Sequence, residues 1–170
     1  MLMVIRHLLS IAALPFTVAV VIPTWIARRN GVRLGFGPGE PRILVQVAGL
    51  ALLIIGLFLF TASLRRFATE GKGTLAPWDP PRQLVVHGLY RYVRNPMISG
   101  VLFVLFGEAL VLMSKPHFVW AVLFLAINVV YIPLIEEPML AQRFGADYAE
   151  YCRNVPRLLP RVQPWDPERS

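Results

Sequence analysis

The chain reads as an all-α integral membrane protein, with four transmembrane helices, a short hairpin between the third and fourth, and a C-terminal amphipathic helix, all in one domain over residues 1–170. Three observations carry that reading. Of the 170 residues, 56% are hydrophobic and 16% charged, against roughly 45–50% and roughly 25% in soluble domains; the mean hydropathy is +0.57. Four apolar runs approach the roughly 17–25 residues a helix needs to cross the hydrocarbon core. The Lys and Arg residues, which leave a net charge of +7, are concentrated between those runs, where they orient a membrane protein and meet anionic headgroups. This composition excludes most soluble enzymes, and it excludes disorder, which requires low hydrophobicity. It also turns the pI near 10.3 from a sign of nucleic acid into a sign of membrane lipids as partners; no nucleic-acid partner is expected.

The first run, residues 4–26, begins around Arg6 and is followed by Arg28-Arg29. It is too long for a signal peptide and lacks a small-residue cleavage site, so it is expected to remain as a helix. The second run covers residues 43–64. The third and fourth, 97–114 and 118–135, are separated only by Ser114-Lys115-Pro116-His117, which demands a tight antiparallel hairpin with Pro116 stopping one helix or starting the next. With four crossings, the N-terminus, the second loop and the tail share a side carrying 12 positive residues against 5 opposite; the positive-inside rule puts them in the cytoplasm.

The second loop, residues 65–95, is the most polar long insertion and contains Gly71-Lys72-Gly73, Pro77, Pro80 and Pro81. From His87 to Pro96 it mixes aromatic, basic and apolar residues, as an ordered segment at the interface does. Pro133 should kink the fourth helix, leaving Glu136-Glu137 at a helix break just before Pro138, a residue favoured at a first helical position. Beyond it Leu140, Phe144, Tyr148, Tyr151 and Cys152 make an apolar stripe opposite Gln142, Arg143, Asp147, Glu150 and Arg153. That pattern predicts a helix lying on the membrane or over the loops.

No P-loop, Gly-x-Gly-x-x-Gly, serine elbow or zinc spacing is present, so no metal is expected, and the single cysteine, Cys152, cannot form an internal disulfide. Taken singly, Tyr90, Tyr92 and Arg94 read as interfacial anchors and Glu136-Glu137 as acids at a helix start. Glu108 inside the third helix is an expensive place for an acid; it reads as a protonated side chain bonded to a neighbouring helix, with Gln46 and Asn128 as the available partners. His87 reads as an exposed histidine and Cys152 as a packing residue.

In combination the pieces say more. Gly88-Leu89-Tyr90-Arg91-Tyr92-Val93-Arg94-Asn95-Pro96-Met97 enters one helix, Glu136-Glu137 leaves the next, and Phe144-Gly145-x-x-Tyr148-x-x-Tyr151 precedes Val155-Pro156-Arg157-x-x-Pro160. Over residues 82–161 this order resembles the isoprenylcysteine carboxyl methyltransferase family. Asn95-Pro96-Met97 and Glu136-Glu137-Pro138 also resemble phosphatidylethanolamine N-methyltransferases. The resemblance implies a membrane methyltransferase that uses S-adenosylmethionine and faces the cytoplasm. It implies cofactor contacts at Gln83, Leu84, Val85, Tyr90, Asn95, Pro96, Met97, Ile98 and Glu136, with Asn95 and Ile98 departing from the family's His and Tyr. Arg94 and Glu137 are the expected catalytic residues, Glu137 as the base should the acceptor be an amine. Independently, a short hairpin returns residues 94–97 and Glu136-Glu137 to one level, where they can share a pocket. Ile132 stands where the prenylcysteine enzymes carry an Arg, which implies an amphipathic or small hydrophobic acceptor other than prenylcysteine. The competing reading is a non-catalytic membrane scaffold or lipid-binding protein of the same architecture.

Overall fold

The computed structural model describes residues 12–32, 40–71 and 82–166, and all regular structure among them is helical, with no strand. Residues 4–11 of the first expected crossing, and Gly73, Pro77, Pro80 and Pro81 of the long loop, lie outside the described residues. Helix α1, Ile22–Arg29, continues from a π-helical stretch, Ala12–Val21, that contains Pro15. The proline cannot donate to the regular ladder, so wider turns are accommodated there. Helix α2 is Glu40–Glu70. Helix α3, Pro96–Val111, starts at Asn95-Pro96, where the missing proline N–H costs nothing. Helix α4, Lys115–Tyr131, runs through one π turn, Ile132–Glu136, into α5, Glu137–Asn154. The break expected at Pro133 therefore takes the form of a widened turn that ends on the two carboxylates.

Two helical stretches, Arg42–Glu70 and Lys115–Asn154, the second kinked at Gly145 where φ is +53°, are long and apolar enough to cross a membrane. In the second the continuously apolar part is residues 118–135; from Glu136 onward the sequence is amphipathic. Helix α3 has 16 residues, about 24 Å at the α-helical rise. Leu44, Leu50, Ile54 and Phe58 on α2, and Val119, Leu123, Ile127 and Val130 on α4, are exposed. An apolar surface of that extent is unfavourable in water and ordinary against hydrocarbon.

Helices α2 and α3 cross antiparallel at four glycines, each pair seven residues apart. A Cβ on Gly56 would lie 2.7 Å from the Gly100 carbonyl oxygen, and one on Gly107 would lie 2.8 Å from the Gly49 carbonyl oxygen. The backbones are in direct contact, as small residues permit between membrane helices. An apolar cluster, Val101, Leu105 and Ala121 with Val18, Phe60, Phe106, Trp120 and Phe124, ties the π-helical stretch, α2, α3 and α4 together.

The hairpin turn between α3 and α4 is held by a buried histidine. His117 Nε2–H donates to the Pro23 carbonyl at 3.1 Å, which leaves Nδ1 to accept from the Ser114 hydroxyl at 2.7 Å. Trp120 Nε1 donates to the Val18 carbonyl at 3.1 Å. Gln46 Nε2 donates across to the Val111 carbonyl at 3.1 Å, and Asn128 Nδ2 to the Phe124 carbonyl at 2.8 Å. Glu108 Oε2, expected to bond to Gln46 or Asn128, is instead buried without a hydrogen-bond partner among the described residues, because both amides donate to helix carbonyls.

Candidate functional site

The polar end of the molecule is built from three pieces of chain: the segment 82–95, helix α5 and the tail that follows it. The segment turns at Gly88, whose φ of +61° is a left-handed conformation that glycine adopts without strain, and continues through one 3-10 turn, Gly88–Arg91. The apolar stripe on α5 meets it. Tyr148 and Tyr151 are buried with Val155 and Trp165, and Leu84, Val86, Leu140, Phe144 and Cys152 pack around them. Gln142, Arg143 and Asp147 remain exposed. The stripe is thus covered by the protein's own segment and tail.

The tail runs along the segment as an irregular strap. Arg94 N–H donates to the Pro156 carbonyl at 2.9 Å, Arg161 N–H to the Tyr92 carbonyl at 3.0 Å and Trp165 N–H to the Arg91 carbonyl at 3.0 Å. The Arg91 side chain returns a hydrogen bond to the Trp165 carbonyl. Tyr151 donates its hydroxyl to the Tyr90 carbonyl at 2.7 Å. Buried backbone groups outside helices need such partners, and here they fix the position of residues 90–94.

At the start of α5, Glu137 is enclosed by two guanidinium groups. Arg94 Nη1 reaches Oε1 at 2.8 Å, while Arg157 reaches Oε1 through Nε and Oε2 through Nη2, both at 2.7 Å. The two bonds from Arg157 are the parallel fork that suits a carboxylate. They are the main reason that the Glu137 carboxyl is held below the usual carboxylate range, with the charge of Arg94 adding to them. Arg94 Nη1 also lies 2.7 Å from Cys152 Sγ. The cysteine thereby packs in the stripe and touches the ionic cluster.

Glu136, the neighbouring residue, has a different environment. No ion pair engages it among the described residues, and burial, followed by the adjacent Glu137 charge, pushes its carboxyl up to about 6. Among the described residues, the buried Tyr90 hydroxyl has no hydrogen-bond partner, and neither does Nε of Arg94. Burial, then the Glu136 charge, pushes the Tyr90 hydroxyl well above its ordinary range, which places phenol and carboxylate within electrostatic reach of one another. Buried polar atoms without partners are uncommon, and the Tyr90 hydroxyl is one among the described residues.

Of the residues expected to contact a cofactor, Tyr90, Val85 and Pro96 are buried, Leu84, Asn95, Met97, Ile98 and Glu136 are half-buried, and Gln83 is exposed. Gln83 and Leu84 line an open cavity of about 600 Å³ with Arg66, Thr69, Glu70 and His87. His87, expected to be exposed, is so, and its Nδ1 lies 3.0 Å from Glu70 Oε2. Asn95 Nδ2 reaches the Arg157 carbonyl at 3.5 Å. Arg94 and Glu137 are brought into contact across 43 residues of chain. Sequence reasoning gave Arg157 and Tyr151 no role in the site. Both stood within the quoted motifs, but nothing local to them names a partner.

Comparison with known proteins adds two findings. The family model described as phospholipid methyltransferase matches residues 44–147. A protein described as methanethiol S-methyltransferase 2, from Bradyrhizobium diazoefficiens, is 36% identical over 74 residues, which make up 44% of this chain and 27% of that protein. The match thus spans about a quarter of the relative's length.

Proposed function

The chain belongs to the phospholipid methyltransferase family, and we propose that it transfers a methyl group from S-adenosylmethionine, at the cytoplasmic face of a membrane, to an amphipathic or small hydrophobic acceptor. The observation that carries this reading is the Tyr90 hydroxyl, buried without a hydrogen-bond partner among the described residues and within electrostatic reach of the half-buried Glu136 carboxylate, at the junction of the apolar and polar halves of the molecule. When bound, S-adenosylmethionine supplies a methyl group on a sulfonium, open to in-line displacement by a nucleophile.

The residues present fit such a molecule. Glu136 would accept charge-assisted hydrogen bonds from its ammonium or its ribose hydroxyls, and Tyr90 offers both a free hydroxyl and an aromatic face for a cation. Gln83, Leu84 and Val85 would line the approach, and the backbone from Asn95 to Ile98 would close the far side. Tyr148, Tyr151 and Trp165 keep water from the underside of this segment, which strengthens every polar contact above it. With this division of labour the chemistry is chiefly positioning and desolvation.

Arg94 and Glu137 have a specific place in this proposal. Both oxygens of Glu137 already accept from guanidinium groups, so Glu137 serves better to hold Arg94 at the site than to take a proton. An acceptor that reacts without a base, such as a thiolate, suits that arrangement better than a protonated amine. The methanethiol S-methylation for which the Bradyrhizobium relative is named points the same way. Ile132, one helical turn before Glu136, is fully buried, which leaves no cation there for an acceptor carboxylate to meet.

We further propose four crossings, with the N-terminus, the 65–95 loop and the tail in the cytoplasm. Cysteine accessibility on a Cys152→Ser background tests it: labelling of Lys72→Cys or Gln163→Cys only from the outer side would overturn the topology. For the activity, purified protein is incubated with methyl-labelled S-adenosylmethionine and, in turn, a hydrophobic thiol, phosphatidylethanolamine and a farnesylcysteine analogue. The expected result is faster methylation of the thiol. Methylation of the farnesylcysteine analogue alone would refute the reading of Ile132, and no binding of S-adenosylmethionine would leave the scaffold reading standing.

A further inference from the structure

We infer that Arg157, in the tail beyond α5, is a positioning residue for the cofactor site, acting through Glu137 to keep the neighbouring Glu136 carboxylate and Tyr90 in their binding arrangement. The inference rests on the proposed function above. Residue 157 lies outside the 44–147 match.

Two adjacent carboxylates at one helix start compete for the same cations. Arg157 resolves that competition by geometry. Its fork occupies one oxygen of Glu137 through Nε and the other through Nη2, each at 2.7 Å, and Arg94 completes the shell at 2.8 Å. Glu137 is thus fixed on the side of the tail, and Glu136 keeps an uncommitted carboxylate. Lysine presents a point charge rather than a fork and cannot satisfy both oxygens at once in this way.

The same residue is anchored to the other wall of the site. The Arg157 carbonyl receives Asn95 Nδ2 at 3.5 Å, and the preceding Pro156 carbonyl receives the Arg94 amide at 2.9 Å. Residues 94–95, which enter α3, and Glu137, which opens α5, are therefore held in one register by two consecutive tail residues. Without the fork, Glu137 would be a half-buried carboxylate with a single cation, Arg94. Its free oxygen would then compete with Glu136 for donors, including those of a bound cofactor.

The test uses the full chain in detergent, with S-adenosylmethionine affinity measured by calorimetry and thermal stability measured in parallel. Binding by the wild type checks the underlying function separately; its absence would end that reading before Arg157 is judged. Arg157→Gln is expected to weaken binding about tenfold, as the freed Glu137 oxygen competes with Glu136, and Arg157→Lys to recover part of the loss. Two further variants separate positioning from stability. In a Glu136→Gln background, Arg157→Gln should cost no further affinity while costing the same stability. Pairing Glu137→Gln with Arg157→Gln, which removes the unpaired carboxylate, should bind better than Arg157→Gln alone. Equal affinity of Arg157→Gln and wild type, or additive losses with Glu136→Gln, would overturn the inference. Should Arg157→Gln fail to fold, Arg157→Lys carries the same comparison, and unchanged affinity there would overturn it equally.

Discussion

The α2–α3 crossing and the joint between α5, the 82–95 segment and the tail are both tight, for opposite reasons. At the crossing, Gly49, Gly56, Gly100 and Gly107 bring backbone against backbone, and the contact depends on side chains that are missing. At the joint, Arg94, Glu137 and Arg157 meet with three hydrogen bonds of 2.7–2.8 Å, and the contact depends on side chains that must be charged and present together. One region is sensitive to volume, and its contacting atoms carry no charge. The other is sensitive to charge and can absorb changes of size at its exposed rim. A hydrocarbon surrounding favours the first solution because close packing needs no water to drive it. A partly wet interface favours the second, where a carboxylate and two guanidinium groups remain hydrated at their edges.

The largest expected effect comes from adding volume at the crossing. Gly56→Val places new carbons where even a Cβ would meet the Gly100 carbonyl oxygen at 2.7 Å and the Val104 amide nitrogen at 2.8 Å; neither backbone atom can rotate away. A loss of about 3 kcal/mol is expected, read by unfolding in mixed micelles, with no change in the shape of the pH–stability curve. Stability equal to wild type would show that the helices separate freely and that the glycines do not hold the contact.

Next in size is the removal of the acid at the joint. Glu137→Ala leaves two guanidinium groups facing each other, one of them, Arg94, only 11% exposed, and should cost about 2–3 kcal/mol, below the range for fully buried pairs. Because the carboxyl of Glu137 is held below its ordinary range, its contribution is complete above the unfolded value and disappears as pH falls through the folded one. The wild type should therefore lose stability on acidification more steeply than Glu137→Gln. Parallel pH–stability curves for the two would remove the joint's claim to charge dependence.

A smaller pH effect, on affinity rather than on stability, should come from Glu136. Its carboxyl is raised to about 6, so it carries a proton below that pH and loses the charge that would attract a cationic ligand. Affinity for S-adenosylmethionine should fall as pH is lowered through about 6, and Glu136→Gln should bind weakly with a flat profile. A wild-type profile that stays flat between pH 5 and about 7 would separate Glu136 from the ligand. The smallest effect is expected at the exposed His87–Glu70 pair, where His87→Ala should change stability by less than about 1 kcal/mol. A larger loss there would mean that the ionic sensitivity extends along the whole segment rather than residing at Glu137.

Much of this molecule could be read from the chain alone, since the information involved is local. Apolar run lengths marked the helices, Asn95-Pro96 and Pro116 marked two helix starts, Pro133 marked the widened turn, and the stripe from Leu140 to Cys152 marked the buried face of α5. The motifs around Tyr90 to Met97 and Glu136-Glu137 pointed to the family, and a short hairpin already implied that Arg94 and Glu137 would stand at one level. Tertiary structure decided which groups meet and which stay free. A glycine gives no sign in sequence of the backbone it will touch, so the register of Gly56 on Gly100 is visible only once the helices cross. Two adjacent glutamates look alike in sequence. They become different when Arg157, 20 residues away, closes on one of them and leaves the other beside a partnerless tyrosine, because the energy of a charge is set by the groups around it and not by its place in the chain.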